Sequence, residues 1–567
     1  MQKYNQHVST KKTSQREAIL GREDEMAENY AGGVVFKLGG WKMLDRFLIL
    51  GSCSPTYYAS ARTMTKENGK NIIGLIKKDA KRVVDRVVEI SLAGRAPNND
   101  PALFVLAMVA GLSDDEGKKY ALANLSKVAR IGTHLFHFVE YVQEFRGWGR
   151  GLRSGISAWY LEKETDKLAL QVVKYQSRDG WSHRDILRKA HVQAFNSDLN
   201  KIFAWVTHGI GGEMKNKDGE TVKSFPDTVD DIADIKMIYA FEMAKKAKNE
   251  DEIVALINEY RLPREAIPTN FMGKKVYQAL LPGMPMTTLI RNLGNLSKNG
   301  ILVAGNFDDI NLVVEKITNE ENLRKARVHP FQLLMAMKTY GAGHGMRGKG
   351  EWEVVPQIVD ALDNAFYKSF SFIEPSGKRI LIALDISGSM GMTGWGTSGD
   401  VAGIAGFTPR EASAAMAMVT MKAEKNWAIV GFSGGYGSYN RGGNRDALIT
   451  LDLSPTMRLN DVVSKVSNLP FGSTDCSLPA IWAAKNKKDF DAIIILTDNE
   501  TWSGEIQPVQ AMRDYRKAVG HDVKLVVVGM TSTGFSIADP TDSSMLDCVG
   551  FDSNAPAIMS DFVSDEL

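Results

Sequence analysis

A chain of 567 residues is too long for one hydrophobic core, so two or more domains are expected. Its composition, 44% hydrophobic and 24% charged, is that of an ordinary globular protein. Its three cysteines (Cys53, Cys476 and Cys548) are far apart, with no CxxC pair, which excludes a disulfide framework and a cysteine-ligated zinc site and fits a reducing compartment.

The stretch "MQKYNQHVSTKKTSQRE" has no apolar core and is not a signal peptide, and residues 1–28 read as a polar, mobile N-terminus. No stretch is apolar for long enough to span a bilayer, so no membrane partner and a cytoplasmic, soluble protein are expected. Residues 29–370 follow a helical period. "NIIGLIKKDAKRVVDRVVEISLAG" spaces apolar residues by three to four, with basic residues between them. "DPALFVLAMVAGL" opens on Asp-Pro, a good start for a helix, and runs to a glycine. Further helices are predicted at "KLALQVVKY", "HRDILRKAHVQAF", "DIADIKMIYAFEMAKKAK", "EDEIVALINEY", "MTTLIRNLGNL" and "HPFQLLMAMKTY". None can bury its apolar face alone, which points to stacked helical pairs, although no clean fixed-period repeat is visible.

Within this half the densest chemistry lies in "RGWGRGLRSGISAWY" and "KYQSRDGWSHRDILRKAH". Arg146, Arg150 and Arg153 fall close together around Trp148, and Lys174, Arg178, His183, Arg184, Arg188 and Lys189 follow. Guanidinium groups suit bidentate phosphate contacts, and nearby aromatics can stack on unpaired bases, so single-stranded RNA is a natural ligand. Arg184 and Arg188 lie one helical turn apart and can share a face. Trp148 and Trp159 are expected in the core, and His183 reads equally well as a helix-cap histidine.

From residue 371 to 567 the pattern changes. Short aliphatic runs, "RILIALDIS", "WAIVGFSG", "ALITLDLS", "DAIIILTDN" and "VKLVVVGM", alternate with helical stretches, the mark of a parallel, doubly wound sheet. This part carries 16 Lys+Arg against 23 Asp+Glu (net −7), while residues 1–370 carry 53 against 44 (net +9), so any polyanion belongs to the front. In such a sheet the loops at the carboxyl ends of the strands form the ligand crevice. "LDISGSM" and "LTDN" both lie at such ends, so Asp385 and Asp498 can face each other there. With hydroxyls from Ser387 and Ser389 they make an all-oxygen set suited to Mg²⁺ or another divalent cation.

Two catalytic motifs fail on context. "GFSGG" fits a nucleophile elbow at Ser433, but the glycine-rich "YGSYNRGGNRD" follows where a helix is required. "GHGMRG" follows a helical run and opens no βαβ unit. No enzyme is expected.

The Asp-x-Ser-x-Ser motif with a later threonine and aspartate resembles the metal-ion-dependent adhesion site of von Willebrand factor A domains. The resemblance assigns Asp385, Ser387, Ser389, Thr474 and Asp498 to the ion, and implies that a partner's carboxylate fills its open position. In the front half, "RFLILGSCSPTYYASARTMTKEN", "SLAGRAPNNDPALFVLAM", "RIGTHLFHFVEYV", "GWSHRDILRKAH", "MPMTTLIRNLG" and "VHPFQLLMAMKTYGAGHGMRG" resemble successive blocks of a TROVE module. A TROVE module leading into an A domain is the arrangement of the Ro autoantigen family and its bacterial orthologues. The segment 208–229 carries no such likeness.

That resemblance implies an all-α, HEAT-like helical-repeat ring (29–370) closed by a doubly wound, Rossmann-like A domain (371–567). It implies a small Y-like noncoding RNA on the basic outer surface and single-stranded 3′ ends of misfolded RNAs in a central hole. It further implies work in RNA quality control, in bacteria beside an exoribonuclease tethered through the RNA. A ring closed within one chain allows a monomer. Carried over from the matching blocks are Arg130, His134, Lys174, Arg178, His183, Arg184 and Arg188, with Arg146, Arg150 and Arg153 added on electrostatic grounds. The competing readings are a metal-dependent protein–protein scaffold without RNA, and a hydrolase using Ser433 or a metal-activated water.

Overall fold

A computed structural model describes residues 12–50, 61–96, 98–215, 221–223, 225–326, 328–345, 350–370, 374–391, 408–434, 447–469, 472–531, 533–551 and 554–565, apart from the side chains of 61–71, 214–215, 221–223, 331 and 467. Cys53 and the glycine-rich stretch after "GFSGG" lie outside these residues, as does part of "GHGMRG".

The first two-thirds are helical. Asp100–Leu112, apolar almost all round, is buried nearly all round: Leu103, Val105, Leu106 and Val109 are fully covered. It packs on Ala61–Ala93 and on Gly132–Gln143. Further on, Thr165–Lys174 packs on Lys236–Lys246, which meets Glu250–Tyr260, which meets Lys274–Leu280. Each helix covers a neighbour's apolar stripe, as in helical repeats. The series closes on itself: His329 Nε2 lies 3.4 Å from the Arg95 carbonyl, joining the last helices to the first. No helix among the described residues is long and apolar enough to cross a membrane.

The helical part ends with Pro356–Lys368, and Arg379–Asp385 opens a six-stranded sheet. Its strand order is Met545–Val549, Lys524–Gly529, Ala492–Thr497, Arg379–Asp385, Asn426–Phe432, Leu448–Thr450. Every pairing is parallel except the last, where "ALITLDLS" yields a short antiparallel edge strand. Side chains alternate along Arg379–Asp385. Ile380, Ile382 and Leu384 join the core shared with the helices, while Leu381 and Ala383 join a second core on the opposite face. Both faces are covered, which explains the continuous apolar run.

Residues 12–28 depart from the expected mobile leader. Ile19, Met26, Val35 and Phe36 are buried in the second core of the A domain. Met26–Glu28 and Val34–Lys37 form an antiparallel pair that continues onto Phe535–Ser536. Gln15 is fully buried: its Nε2 donates to Asp475 Oδ1 (2.7 Å) and to the Ile506 carbonyl (3.0 Å), and its Oε1 accepts from Thr501 Oγ1 (2.5 Å). The segment's polar residues had suggested solvent, but they satisfy buried groups of the A domain instead.

Candidate functional site

Register builds the acidic site. Leu384 pairs with Leu496 on adjacent parallel strands, so Asp385 and Asp498 emerge side by side at the carboxyl end of the sheet. Asp385 turns its loop by accepting the Ser387 N–H (2.9 Å), while Asp498 accepts the Glu500 N–H (3.0 Å). Ser387 Oγ and Ser389 Oγ are 3.1 Å apart, and Ser389 hydrogen-bonds Asp498. The Gly388 N–H donates to the Gly472 carbonyl (3.3 Å), which joins this loop to the one carrying Thr474. Thr474 itself is fixed through its carbonyl, which accepts from Ser503 Oγ at 2.9 Å. All five positions are between 0 and 5% exposed.

The electrostatics are strained in a telling way. Burial and then the neighbouring Asp385 push the Asp498 carboxyl up to about 7, and burial raises Asp385 too. Behind them Glu500 is pushed up to about 9 by burial and by Asp498, and its Oε1 is buried without a hydrogen-bond partner. Buried carboxylates this close repel unless one takes a proton or a cation enters. The donor set, two carboxylates and two hydroxyls in contact, fits a hard divalent ion. Asp385, Ser387, Ser389 and Asp498 are brought together, with the Thr474 loop adjoining. Three supporting residues escaped sequence reasoning. Thr497 donates to Asp385 Oδ2 (2.6 Å) from inside an apolar strand, and Arg410 Nη2 holds the Ile386 and Ser387 carbonyls (3.0 and 2.9 Å). Glu500 is the third, and its only signal is its place in "TDNET".

The basic positions divide. Arg184 and Arg188 project from one exposed face of His183–Ala190, a helix started by a Ser182–Asp185 capping box. Arg188 Nη2 approaches the Thr207 carbonyl (3.4 Å), and both arginines depress the protonation of His208 after burial does. Arg178 is exposed on a hairpin whose turn residues, Asp179 and Gly180, are both left-handed (φ 51 and 78). Arg150 is exposed, and Lys174 and Arg153 are half-buried. Arg146 Nη1 is committed to the Ala110 carbonyl (2.9 Å) near the end of Asp100–Leu112. Arg130 Nη1 donates to Ser91 Oγ (2.8 Å). His134 is held neutral, its pKa pushed down to about 4 by burial and by Arg130.

His183, expected to contact RNA, is instead a buried core residue. It is 2% exposed, packed among Phe136, Trp159 and Tyr160, with Nδ1 2.7 Å from Tyr160 Oη. Burial lowers its pKa to about 3, so it is a neutral core ring. Trp159 is core, as expected; Trp148 is not. It lies half-buried 6.0 Å from Trp181, with Lys189 Nζ 5.7 and 5.6 Å from the two rings. This aromatic pair beside Lys189 was legible only as "RGWG" and "DGWSHR", segments far apart in sequence.

Comparison with known proteins identifies the family of both parts of the chain. A TROVE domain model matches residues 27–340 and a Ro60 vWA domain model matches residues 379–563. A Deinococcus radiodurans protein named RNA-binding protein RO60 is 37% identical over 546 residues, covering 96% of each chain. A Caenorhabditis elegans protein of the same name is 34% identical over 609 residues, covering 96% of this chain and 91% of that one. The crystal structure of the Deinococcus radiodurans RO (RSR) protein superposes with a TM-score of 0.69 at 37% identity, over 93% of this chain and all of that one.

Proposed function

Since the chain belongs to the TROVE-domain family, with a Ro60-type vWA domain at its carboxyl end, we propose that it is a non-catalytic RNA-binding protein of the Ro type. The observation that carries this reading is the helix His183–Ala190, which exposes Arg184 and Arg188 and sets Lys189 over the Trp148–Trp181 pair. Unpaired bases have a stacking surface there and phosphates have two guanidinium groups. The names of the relatives support RNA as the ligand class. A small structured Y-like RNA on this face, single-stranded RNA ends in the ring, and a role in RNA quality control beside an exoribonuclease complete the proposal.

The acidic site is proposed to hold Mg²⁺ through Asp385, Ser387, Ser389, Thr474 and Asp498. The ion would supply a positive centre for an acidic partner group. Arg410 and Thr497 hold the loop and the first aspartate in place for it.

The test is to isolate the protein from its native cells under gentle conditions and sequence the RNA bound to it. One abundant small structured RNA is expected, and it should be lost in the Arg184→Ala/Arg188→Ala variant. RNA-free protein that retains a protein partner only while Asp385 is intact would replace this reading with that of a scaffold.

A further inference from the structure

Away from the acidic site and from the face of His183–Ala190, the helical part contains a cavity of about 560 Å³. It lies where Thr165–Lys174, Glu250–Tyr260, Lys274–Leu280 and Met286–Lys298 converge. The volume falls within the range of roughly 300–1,000 Å³ typical of small-molecule sites. Its lining includes the apolar Leu170, Ile257, Leu280 and Met284. It also includes three cations, Lys174, Arg261 and Arg264, with a single carboxylate, the exposed Glu265.

Several observations indicate what this lining lacks. Arg264 Nε is buried with no hydrogen-bond partner, an expensive state for a guanidinium. Met286–Lys298 starts at the cavity edge with Pro285 at its cap and no side chain capping its first turn. Its free N–H groups and the positive end of its dipole therefore favour an anion. Arg261 is held in the left-handed region (φ 54) as the cap of Glu250–Tyr260, which fixes its place at the rim. The lining thus combines apolar side chains with anion donors.

We propose that this cavity takes one nucleoside monophosphate unit, with its base against the apolar side chains and its phosphate among Lys174, Arg261, Arg264 and the start of Met286–Lys298. The unit comes either from a nucleotide turned out of a bound RNA or from a free nucleotide, and the chemistry of recognition is the same. The first source rests on the RNA-binding reading above; the second does not.

The test uses the full chain and adenosine 5′-monophosphate, with adenosine as control, followed by saturation-transfer NMR. Two variants accompany it: Ala279→Phe, which fills the cavity from its lining, and Arg261→Asn, which removes a cation while tolerating the left-handed backbone. Thermal unfolding confirms that each variant is folded; if Ala279→Phe does not fold, Arg261→Asn decides. The nucleotide should bind, adenosine should bind roughly tenfold more weakly, and each variant should lose roughly tenfold in affinity, as for one charge-assisted hydrogen bond. If the nucleotide competes with RNA, and the variants weaken RNA binding, the occupant is a nucleotide of the RNA. Binding without competition assigns a free nucleotide, and either result supports the pocket. Absence of nucleotide binding, with RNA affinity unchanged in both variants, overturns the pocket and leaves the RNA-binding reading intact. Variant-sensitive nucleotide binding by a chain that takes up no RNA keeps the pocket and removes that reading.

Discussion

Asp498 is the residue whose chemistry is most exposed to experiment. Its carboxyl, raised to about 7, is protonated below that pH, and ionisation above it costs the folded state stability. The sign follows from linkage: a raised folded pKa stabilises at low pH, and that contribution is lost as pH rises through about 7. A divalent ion that binds only the ionised pair competes with the proton. Mg²⁺ should therefore raise the unfolding temperature more at pH 8 than at pH 6, and calorimetric Mg²⁺ affinity should fall as the pH drops below about 7. Asp385→Asn should abolish the response at both values. An Mg²⁺ response independent of pH and of Asp385 would show that the ion sits elsewhere. At the same scale, His183→Ala leaves Tyr160 Oη without its partner and opens a cavity beside Phe136 and Trp159. About 2–4 kcal/mol of stability should be lost in chemical denaturation. Arg184→Ala should leave stability within about 0.5 kcal/mol, since the residue is exposed.

Among the elements, the helix His183–Ala190 shows what sequence can and cannot convey. Its capping box and its Arg184/Arg188 face follow from local spacing. That its first residue points inward follows from Trp159 and Tyr160, which come from a different helix and carry no local signal. The acidic site was legible for the same kind of reason: strand ends are written in apolar runs, and parallel pairing brings two such ends together. The edge strand Leu448–Thr450 was legible in "ALITLDLS", but its antiparallel direction and the supporting Arg410 depend on tertiary neighbours and were not. The leading segment was misread because its buried polar residues look like solvated ones. Gly33 packs so closely on the Thr501 carbonyl that a Cβ would collide with the backbone. Gly33→Ala should therefore displace the pair Met26–Glu28/Val34–Lys37, lowering the unfolding temperature and speeding amide exchange in residues 26–37. Unchanged exchange there would mean that this pair does not depend on the close approach.

For the whole molecule, charge is the governing quantity. The helical part is net positive and the A domain net negative, which favours the former for the proposed phosphate contacts. RNA affinity should fall steeply with salt, and Arg184→Ala/Arg188→Ala should reduce the log–log slope by about 1–2, one counterion per lost phosphate contact. A slope that does not change would place the phosphates on other residues. Pairings between residues distant in sequence close the helical series, His329 with Arg95, and join its early helices to the A domain, Arg46 with Asp547 (2.7 Å) and Asn554 with the Ala93 carbonyl (3.1 Å). Gln15 extends the same pattern, since it is satisfied by Asp475, Thr501 and Ile506. A ribosome delivers about 5–20 residues each second, so the segment that carries Gln15 waits roughly 25–100 s for those partners. During that interval Ile19, Met26, Val35 and Phe36 have no core to enter. Synthesis thus leaves an apolar stretch beside the growing chain, open to chaperones until the last domain arrives and seals it.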